Sequence, residues 1–445
     1  MPGTGKTTTI ASIIKILVNR GKSVLLTSYT HSAVDNILMK LLPTRTKFMR
    51  LGSMRKIHKD LHSQVSLQRE AVKTVSDAER DYFGYPVVAT TCLGIGHAIF
   101  LRRQFDYCIV DEASQILFPV CVGPIRFADK FVLVGDHYQL PPILKSSPKM
   151  SDVTEKYSLS MFKHLCEAHP IAVTELSLQY RMNETIMSLV SQSVYNGKLK
   201  CGSAAVAGSV LKLGRLEEWF AKSHCKDGIA LSKDPPCFIS SGCNQGKKDV
   251  CWLYHCLNPV NSVVFLDTDS LKAEERTMKP TETMKPKRNA AKTLQSEAEA
   301  KIVLQIVEAM LYSGLSDGDI GIISPYRMQI RVIHEHLSSQ FASIEASTVD
   351  TYQGRDKPCI IISLGVTHAP TSGKYEQQVS RLLMDWRRIN VAMTRAKSKL
   401  ILIGSRGTLS KSLLFECFLN KMDVDGAVSS LPYCSAWQMR KHDVY

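Results

Sequence analysis

Six residues at the start of the chain combine backbone freedom with a cation and a hydroxyl: Pro2, Gly3, Thr4, Gly5, Lys6 and Thr7. Closely spaced glycines let successive backbone N–H groups wrap an anion, and a helix opening behind them aims its positive end at the same point. In that arrangement Lys6 pairs with the β- and γ-phosphates of a nucleotide and Thr7 ligates Mg²⁺. The glycine that would complete the G-x-x-x-x-G-K-[ST] spacing falls one residue before Met1. Taken alone, Gly5-Lys6-Thr7 also reads as a chance turn and helix N-cap.

Two further strand ends carry the matching chemistry. Tyr107–Val110 is an apolar run that stops at Asp111-Glu112. A phosphate loop needs acidic groups there: Asp111 to hold Mg²⁺ through water and Glu112 to polarise the attacking water. The bland alternative is a solvated loop start. Gly135-Asp136-His137-Tyr138-Gln139-Leu140-Pro141-Pro142 again follows an apolar run. A Pro-terminated turn accounts for its prolines, whereas Gln139 is placed to sense a γ-phosphate. Three such sites in this order point to a nucleotide site. Hydrolysis also needs positive charge from elsewhere in the chain, and Arg181 and Arg395 sit in motif-like contexts for it, although each alone reads as a surface arginine.

The elements that must position these groups alternate short apolar runs with amphipathic stretches, the mark of parallel α/β units. The runs are Val24–Leu26, Val87–Ala89, Cys108–Val110 and Phe131–Val134, then Val263–Leu266, Ile320–Ile323, Ile360–Leu364 and Leu400–Ile403. Ile10, Ile13, Ile14 and Leu17 fall at helical spacing, and Gly21 closes that helix. Ser296 and Glu299 form a capping box before Ile302, Val303, Ile306, Val307 and Met310. The fold class is therefore α/β with two tandem lobes built on parallel sheets. The first is expected over residues 1–174, and the second over 175–445 with an irregular insertion at about 205–295. Residues 53–81 read as a mostly helical excursion, and 271–292, with two Thr-Met-Lys-Pro copies, as a solvated insertion.

Composition sets the partners. With 56 Lys+Arg against 41 Asp+Glu, the 445-residue chain carries +15, a balance that favours a polyanion through counterion release. Thirteen cysteines, an odd number, several of them inside apolar runs, suit a reducing compartment, the cytoplasm or nucleus. No apolar stretch reaches the roughly 18 residues of a membrane span, so no membrane partner is expected.

Together, Gly3–Thr7, Thr27–Asn36, Asp111–Gln115, Gly135–Pro142, Gln179–Met182, Ile323–Gln329, Val349–Lys357 and Arg388–Lys397 resemble superfamily 1 helicases of the branch that includes the nonsense-mediated-decay RNA helicase. Within that branch the strings at 23–38, 108–116, 131–137, 349–357 and 385–397 are similar to the helicase portion of the eukaryotic replication helicase/nuclease family. The resemblance covers nearly the whole chain except about 205–260 and the Thr-Met-Lys-Pro insertion. It implies two RecA-like P-loop NTPase lobes, ATP and Mg²⁺ as cofactors, single-stranded DNA as partner with single-strand-binding and replication proteins beside it, and a nuclear residence, with a mitochondrial one as the further option. It assigns Lys6, Asp111, Glu112, Gln139, Arg181 and Arg395 to catalysis, and Pro2, Gly3, Thr4, Gly5, Lys6, Thr7, Tyr180 and Gly354 to the nucleotide. Thr7 and Asp111 go to Mg²⁺. Thr27, Thr30, Thr90, Thr91, Tyr326, Arg327 and Thr348 go to the DNA backbone, each hydroxyl reading alternatively as a cap or turn residue.

The implied function is an ATP-dependent helicase motor translocating on single-stranded DNA in replication and repair, in Okazaki-flap processing and end resection. The alternatives are an RNA helicase of the same branch and a catalytically dead nucleic-acid-binding fragment. The family pattern places a strand before the loop, so the chain is expected to be a fragment with a gap in the core of its first lobe and weakened ATP turnover. The family's nuclease half and its iron–sulfur cysteines find no counterpart, so neither nuclease activity nor a cluster is expected. Cys225, Cys237, Cys243, Cys251, His255 and Cys256 crowd together without a C-x₂-C pair and read as loop cysteines rather than a zinc site.

Overall fold

The structure is a computed structural model that describes residues 1–65, 74, 83–143, 160–223, 251–271, 295–337, 341, 343–365 and 385–431. The Thr-Met-Lys-Pro insertion and Cys225, Cys237 and Cys243 lie outside the described residues. The chain divides into two compact units, Met1–Gln179 and Tyr180–Tyr445, each with its own sheet.

The first unit is built on β1 (Val24–Ser28), β2 (Phe48–Arg50), β3 (Val87–Thr91), β4 (Phe105–Asp111) and β5 (Ala128–Leu133), paired in the order β2-β3-β1-β4-β5. All neighbours run parallel. Interior strands of such a sheet are covered on both faces, so they read as continuous apolar runs rather than alternating ones. Successive residues of β1 show why: Val24 and Leu26 join Ile10, Ile14, Val34 and Ile37 in one cluster, while Leu25 joins Val88, Cys108 and Val110 in another. Helices α1 (Lys6–Asn19) and α2 (His31–Leu41) supply the first cluster, and Cys121 of α3 (Phe118–Ile125) belongs to the second. Gly21 at φ 71° follows the end of α1, in the left-handed conformation that a helix stop uses. The five strands pair without interruption. The sheet's edge at β5 is open, with Phe131 44% exposed.

Register decides where chemistry can sit. Ser28 lies level with Asp111 on one side and with Thr91 on the other. The carboxyl ends of β1, β3 and β4 therefore form one rim, the place where open α/β sheets hold ligands. The stretch expected to be helical after residue 53 holds short 3₁₀ turns at Met54–Lys56 and Lys59–Gln64 in its described part.

The second unit carries β6 (Val263–Asp267), β7 (Ile320–Ser324), β8 (Glu345–Thr348), β9 (Lys357–Ser363), β10 (Ala396–Gly404) and β11 (Val428–Ser430). They form a parallel sheet in the order β8-β7-β9-β10-β6-β11. The periodic residues of α4 (Glu297–Tyr312), among them Ile302, Val303, Ile306 and Val307, pack with Ile322, Ile361 and Ile401 of the strands. Each fully buried side chain of this kind is worth about 1.5–3 kcal/mol.

The capping box at the start of α4 forms only by half. Ser296 Oγ accepts from the Glu299 N–H at 3.2 Å, but the Ser296 N–H donates to Gln329 Oε1 at 2.6 Å. The Glu299 carboxylate instead accepts from Ser363 Oγ at 2.7 Å and the Gly365 N–H at 2.8 Å. Gln329 lies on α5 (Arg327–Leu337), so a tertiary partner has taken the donor that the local motif reserves for the glutamate.

Candidate nucleotide site

The loop before α1 owes its shape to two glycines in the left-handed region, Gly3 at φ 68° and Gly5 at φ 76°. Gly5 is the N-cap and contributes no side chain, so the first turn of α1 leaves its N–H groups to the loop side. Thr4, 7% exposed, donates its hydroxyl to the Met1 carbonyl at 2.9 Å, and the Lys6 amine donates to the same oxygen at 2.9 Å. Pro2 is buried and Thr7 half-buried on the helix start.

Asp111 ends β4 and is 5% exposed. Burial raises its carboxyl above the ordinary carboxylate range; the neighbouring Glu112 adds to this and the Lys6 amine opposes it. Glu112 sits at φ 51°, a left-handed conformation that a branched or bulky residue would resist. Its Oε2 accepts from the Gln115 side chain at 2.8 Å. Gly135 follows β5, and a Cβ there would lie 2.9 Å from the Ser114 backbone nitrogen. Only glycine lets the end of β5 come this close to the turn after Glu112. The next residue uses that approach: the Asp136 N–H donates to Ser114 Oγ at 3.2 Å.

Gln139, 5% exposed, donates its side-chain amide to Asp136 Oδ2 at 2.8 Å. Asp136 was not singled out from the sequence, although its position one residue after an obligatory glycine was the available signal. Burial would raise its carboxyl, and the Lys6 amine opposes that. Lys6 thus acts electrostatically on both Asp111 and Asp136, which ties the loop to two strand ends of the first unit.

In the second unit the two motif arginines gather around one threonine. Arg181 donates from Nη1 to the Thr394 carbonyl at 3.1 Å, and Arg395 from Nη2 to Thr394 Oγ1 at 3.1 Å. Arg181 also pairs with Asp356 at 2.9 Å, and Asp356 pairs with Lys397 at 2.7 Å. Arg395 is 3% exposed and donates to the Val391 carbonyl at 2.9 Å, within α6 (Trp386–Met393). Tyr180, 58% exposed, has its ring against Gly202, where a Cβ would come within 2.3 Å of it. Gly354 stands at φ 81°.

The residues assigned to DNA divide by burial. Thr27 is 0% exposed on the central strand, and its hydroxyl donates to the Cys92 sulfur at 3.4 Å. A side-chain contact from Thr27 to a strand is therefore corrected: the hydroxyl is spent inside the sheet. Thr30 caps α2, accepting from the Ala33 N–H at 3.3 Å. Thr90 and Thr91 end β3 at 2% and 8% exposure. Tyr326 and Arg327 lead into α5, with the Tyr326 N–H on Ser324 Oγ at 3.3 Å. Thr348 ends β8 and shares a 3.1 Å hydroxyl contact with Thr351. Of the cysteine-rich segment, Cys251 and Cys256 are buried in the second core, and His255 Nδ1 meets Ser429 Oγ at 2.9 Å.

A glycine loop at a helix start, with Asp111, Glu112, Asp136 and Gln139 on adjacent parallel strand ends, is the architecture of a P-loop NTPase. Family comparison agrees: AAA-domain models match residues 1–81 and 82–147, and residues 157–407. The chain belongs to the AAA-domain family. It is similar to the DNA replication ATP-dependent helicase/nuclease DNA2 of Xenopus laevis, 41% identical over 97% of this chain and 38% of that protein. The Homo sapiens relative is 40% identical over 97% of the chain and 37% of its own length. JHS1 of Arabidopsis thaliana is 39% identical over 97% and 29%. The chain thus spans less than two-fifths of these relatives. Among solved structures, an Arterivirus nonstructural protein 10 (helicase) with DNA superposes at TM-score 0.42 and 14% identity, over 93% of this chain and 61% of that one.

Proposed function

We propose that this chain is the ATP-driven motor part of a DNA helicase, translocating on single-stranded DNA in replication and repair within the nucleus. The observation that carries the reading is the first unit's site, where Lys6 of the Gly3–Thr7 loop acts on Asp111 at the end of β4 and on Asp136, beside Gln139, after the adjacent β5. The similarity of 39–42% to replication helicase/nucleases supports it.

The residues fit a magnesium ion. Thr7 and Asp111 offer hard oxygen donors, and burial leaves the Asp111 carboxylate with an ionisation cost that a divalent cation offsets. Among the described residues no group of three or more His, Cys, Asp or Glu side chains is arranged to hold a metal. When bound, the ion neutralises charge on the phosphates. Lys6 and the loop amides bind and orient the β- and γ-phosphates. Glu112 orients the attacking water and takes its proton. Gln139, held by Asp136, stands where the γ-phosphate is sensed. The family resemblance assigns Arg181 and Arg395 to charge stabilisation, Tyr180 to the base and Gly354 to the phosphates.

The test is Mg²⁺-dependent ATP turnover with and without single-stranded DNA. Glu112→Gln is expected to lose at least ~10²-fold in turnover, the usual contribution of a positioned base, and Lys6→Ala to lose nucleotide binding. Turnover that survives in both variants, or needs no divalent ion, overturns the assignment.

A further inference from the structure

In the second unit the ring of Tyr180 rests against bare backbone at Gly202. A two-residue strand, Lys200–Cys201, leads into this glycine, and Ser203 after it caps the short helix Ala204–Ala207, its Oγ accepting from the Val206 N–H at 3.3 Å. Gly202 is thus held from both sides. The Cys201 thiol donates to the carbonyl of Met182, two residues beyond Tyr180, at 3.8 Å. Met182 is buried, and Asn183 next to it caps the helix Glu184–Val194, its Oδ1 accepting from the Ile186 N–H at 3.1 Å. The Asn183 N–H donates to the Lys397 carbonyl at 2.8 Å, and its side-chain amide donates to the Ser398 carbonyl at 3.0 Å. Residues 180–183, 201–203 and 397–398 are therefore tied into one frame, to which Arg181 is also fastened through the Thr394 carbonyl.

Gly202 has no positive φ, so its backbone would accept any residue. What a side chain would meet is the ring. A Cβ at 202 would lie 2.3 Å from Cε1, 2.4 Å from Cζ and 2.9 Å from Cδ1 of Tyr180. Favourable carbon contacts lie at about 3.5–4.0 Å, so any other residue displaces the ring by roughly 1 Å. Tyr180 is 58% exposed, so the ring has open space to move into and the fold does not resist the shift. The glycine protects no core here. It sets where an exposed aromatic ring stands, and the strength of an aromatic stack depends on that placement.

We propose that Gly202 is a positioning residue for base binding: its bare backbone seats the Tyr180 ring at the depth at which a nucleobase stacks on it, and a side chain at 202 lifts the ring off that seat. The inference rests on the assignment of Tyr180 to the base and adds what places the ring. Gly202 offers no side chain to a ligand, so its effect passes through Tyr180 alone.

The experiment is calorimetric binding of ADP and of pyrophosphate, which carries phosphates and no base, to the full chain and three variants. Tyr180→Ala is expected to weaken ADP roughly 5- to 150-fold, the range of a base–aromatic stack, and to leave pyrophosphate unchanged. Gly202→Ala is expected to weaken ADP roughly 2- to 13-fold, the share of aromatic stacking that depends on geometry, with pyrophosphate affinity and thermal midpoint at wild-type values. The double variant is expected to bind ADP as Tyr180→Ala does, because the ring that the added methyl displaces is absent. Wild-type ADP affinity in Gly202→Ala, with Tyr180→Ala weakened, overturns the positioning role and leaves the base assignment standing. Losses that multiply in the double variant overturn it as well, since Gly202 then acts without the ring. Equal losses of ADP and pyrophosphate in Gly202→Ala overturn it too, because the base is then not what is misplaced. Wild-type ADP affinity in Tyr180→Ala removes the base assignment itself, and this inference with it.

Discussion

Lys399 lies on β10 in the middle of the second sheet at 0% exposure, where a charged amine is costly. Its Nζ donates to the backbone carbonyls of Asn258, at 2.9 Å, and Asn261, and no carboxylate is among these partners. Burial lowers its pKa from 10.5 to about 8. At ~1.4 kcal/mol per pKa unit, this amounts to roughly 3 kcal/mol of strain carried by the protonated form in the folded state. The sign follows from linkage: between pH 8 and 10.5 the unfolded chain binds the proton and the folded one releases it, so stability rises with pH in that window. Lys399→Met removes the titration and leaves two carbonyls without their donor, at ~1–3 kcal/mol each. At pH 7 the two effects oppose each other. Across the window the variant should lose about 3 kcal/mol relative to the wild type, because only the wild type sheds its penalty. Urea unfolding of both proteins under reducing conditions, at pH values below, within and above the window, measures this. Buried Cys256 and Cys359, whose thiols burial pushes up, are present in both proteins and largely cancel in the difference. Parallel stability curves for the two proteins would refute the buried-ammonium argument.

Two further substitutions test the geometry of the units separately. Gly135→Ala places a Cβ 2.9 Å from the Ser114 nitrogen and 3.1 Å from its hydroxyl; overpacking of this kind costs about 1–3 kcal/mol, and ATP turnover should fall with the displaced Asp136–Gln139 pair. Turnover and thermal midpoint both at wild-type level would contradict the close approach. Asp356→Asn removes the carboxylate charge that Arg181 and Lys397 share. Burial would raise the Asp356 carboxyl, but Arg181 and Lys397 outweigh it and hold it lowered. Its contribution is thus present above the ordinary carboxylate pKa and lost as pH falls through the lowered one. The variant should be less stable by about 1 kcal/mol at neutral pH, with the difference shrinking on acidification; a constant difference in urea midpoint would argue against the ion pair.

The sequence by itself determined the two parallel sheets and the order of chemistry along their edges. Runs such as Val87–Ala89 and Leu400–Ile403 are legible because strands buried on both faces must be continuously apolar. Glycine and carboxylate positions are legible because a phosphate loop admits few residue types. Short or polar strands were not legible: β2 is three residues ending in Arg50, and β8, at the sheet edge, is Glu-Ala-Ser-Thr. Tertiary structure alone decided which polar groups are spent and which are available. Thr27, assigned by resemblance to the DNA backbone, has its hydroxyl on Cys92, Glu299 left its own cap for Ser363 and Gly365, and Arg50 turned inward toward His31. Local spacing lists a side chain's nearest possible partners, but a buried donor or acceptor takes whichever satisfying partner the packed chain brings to it.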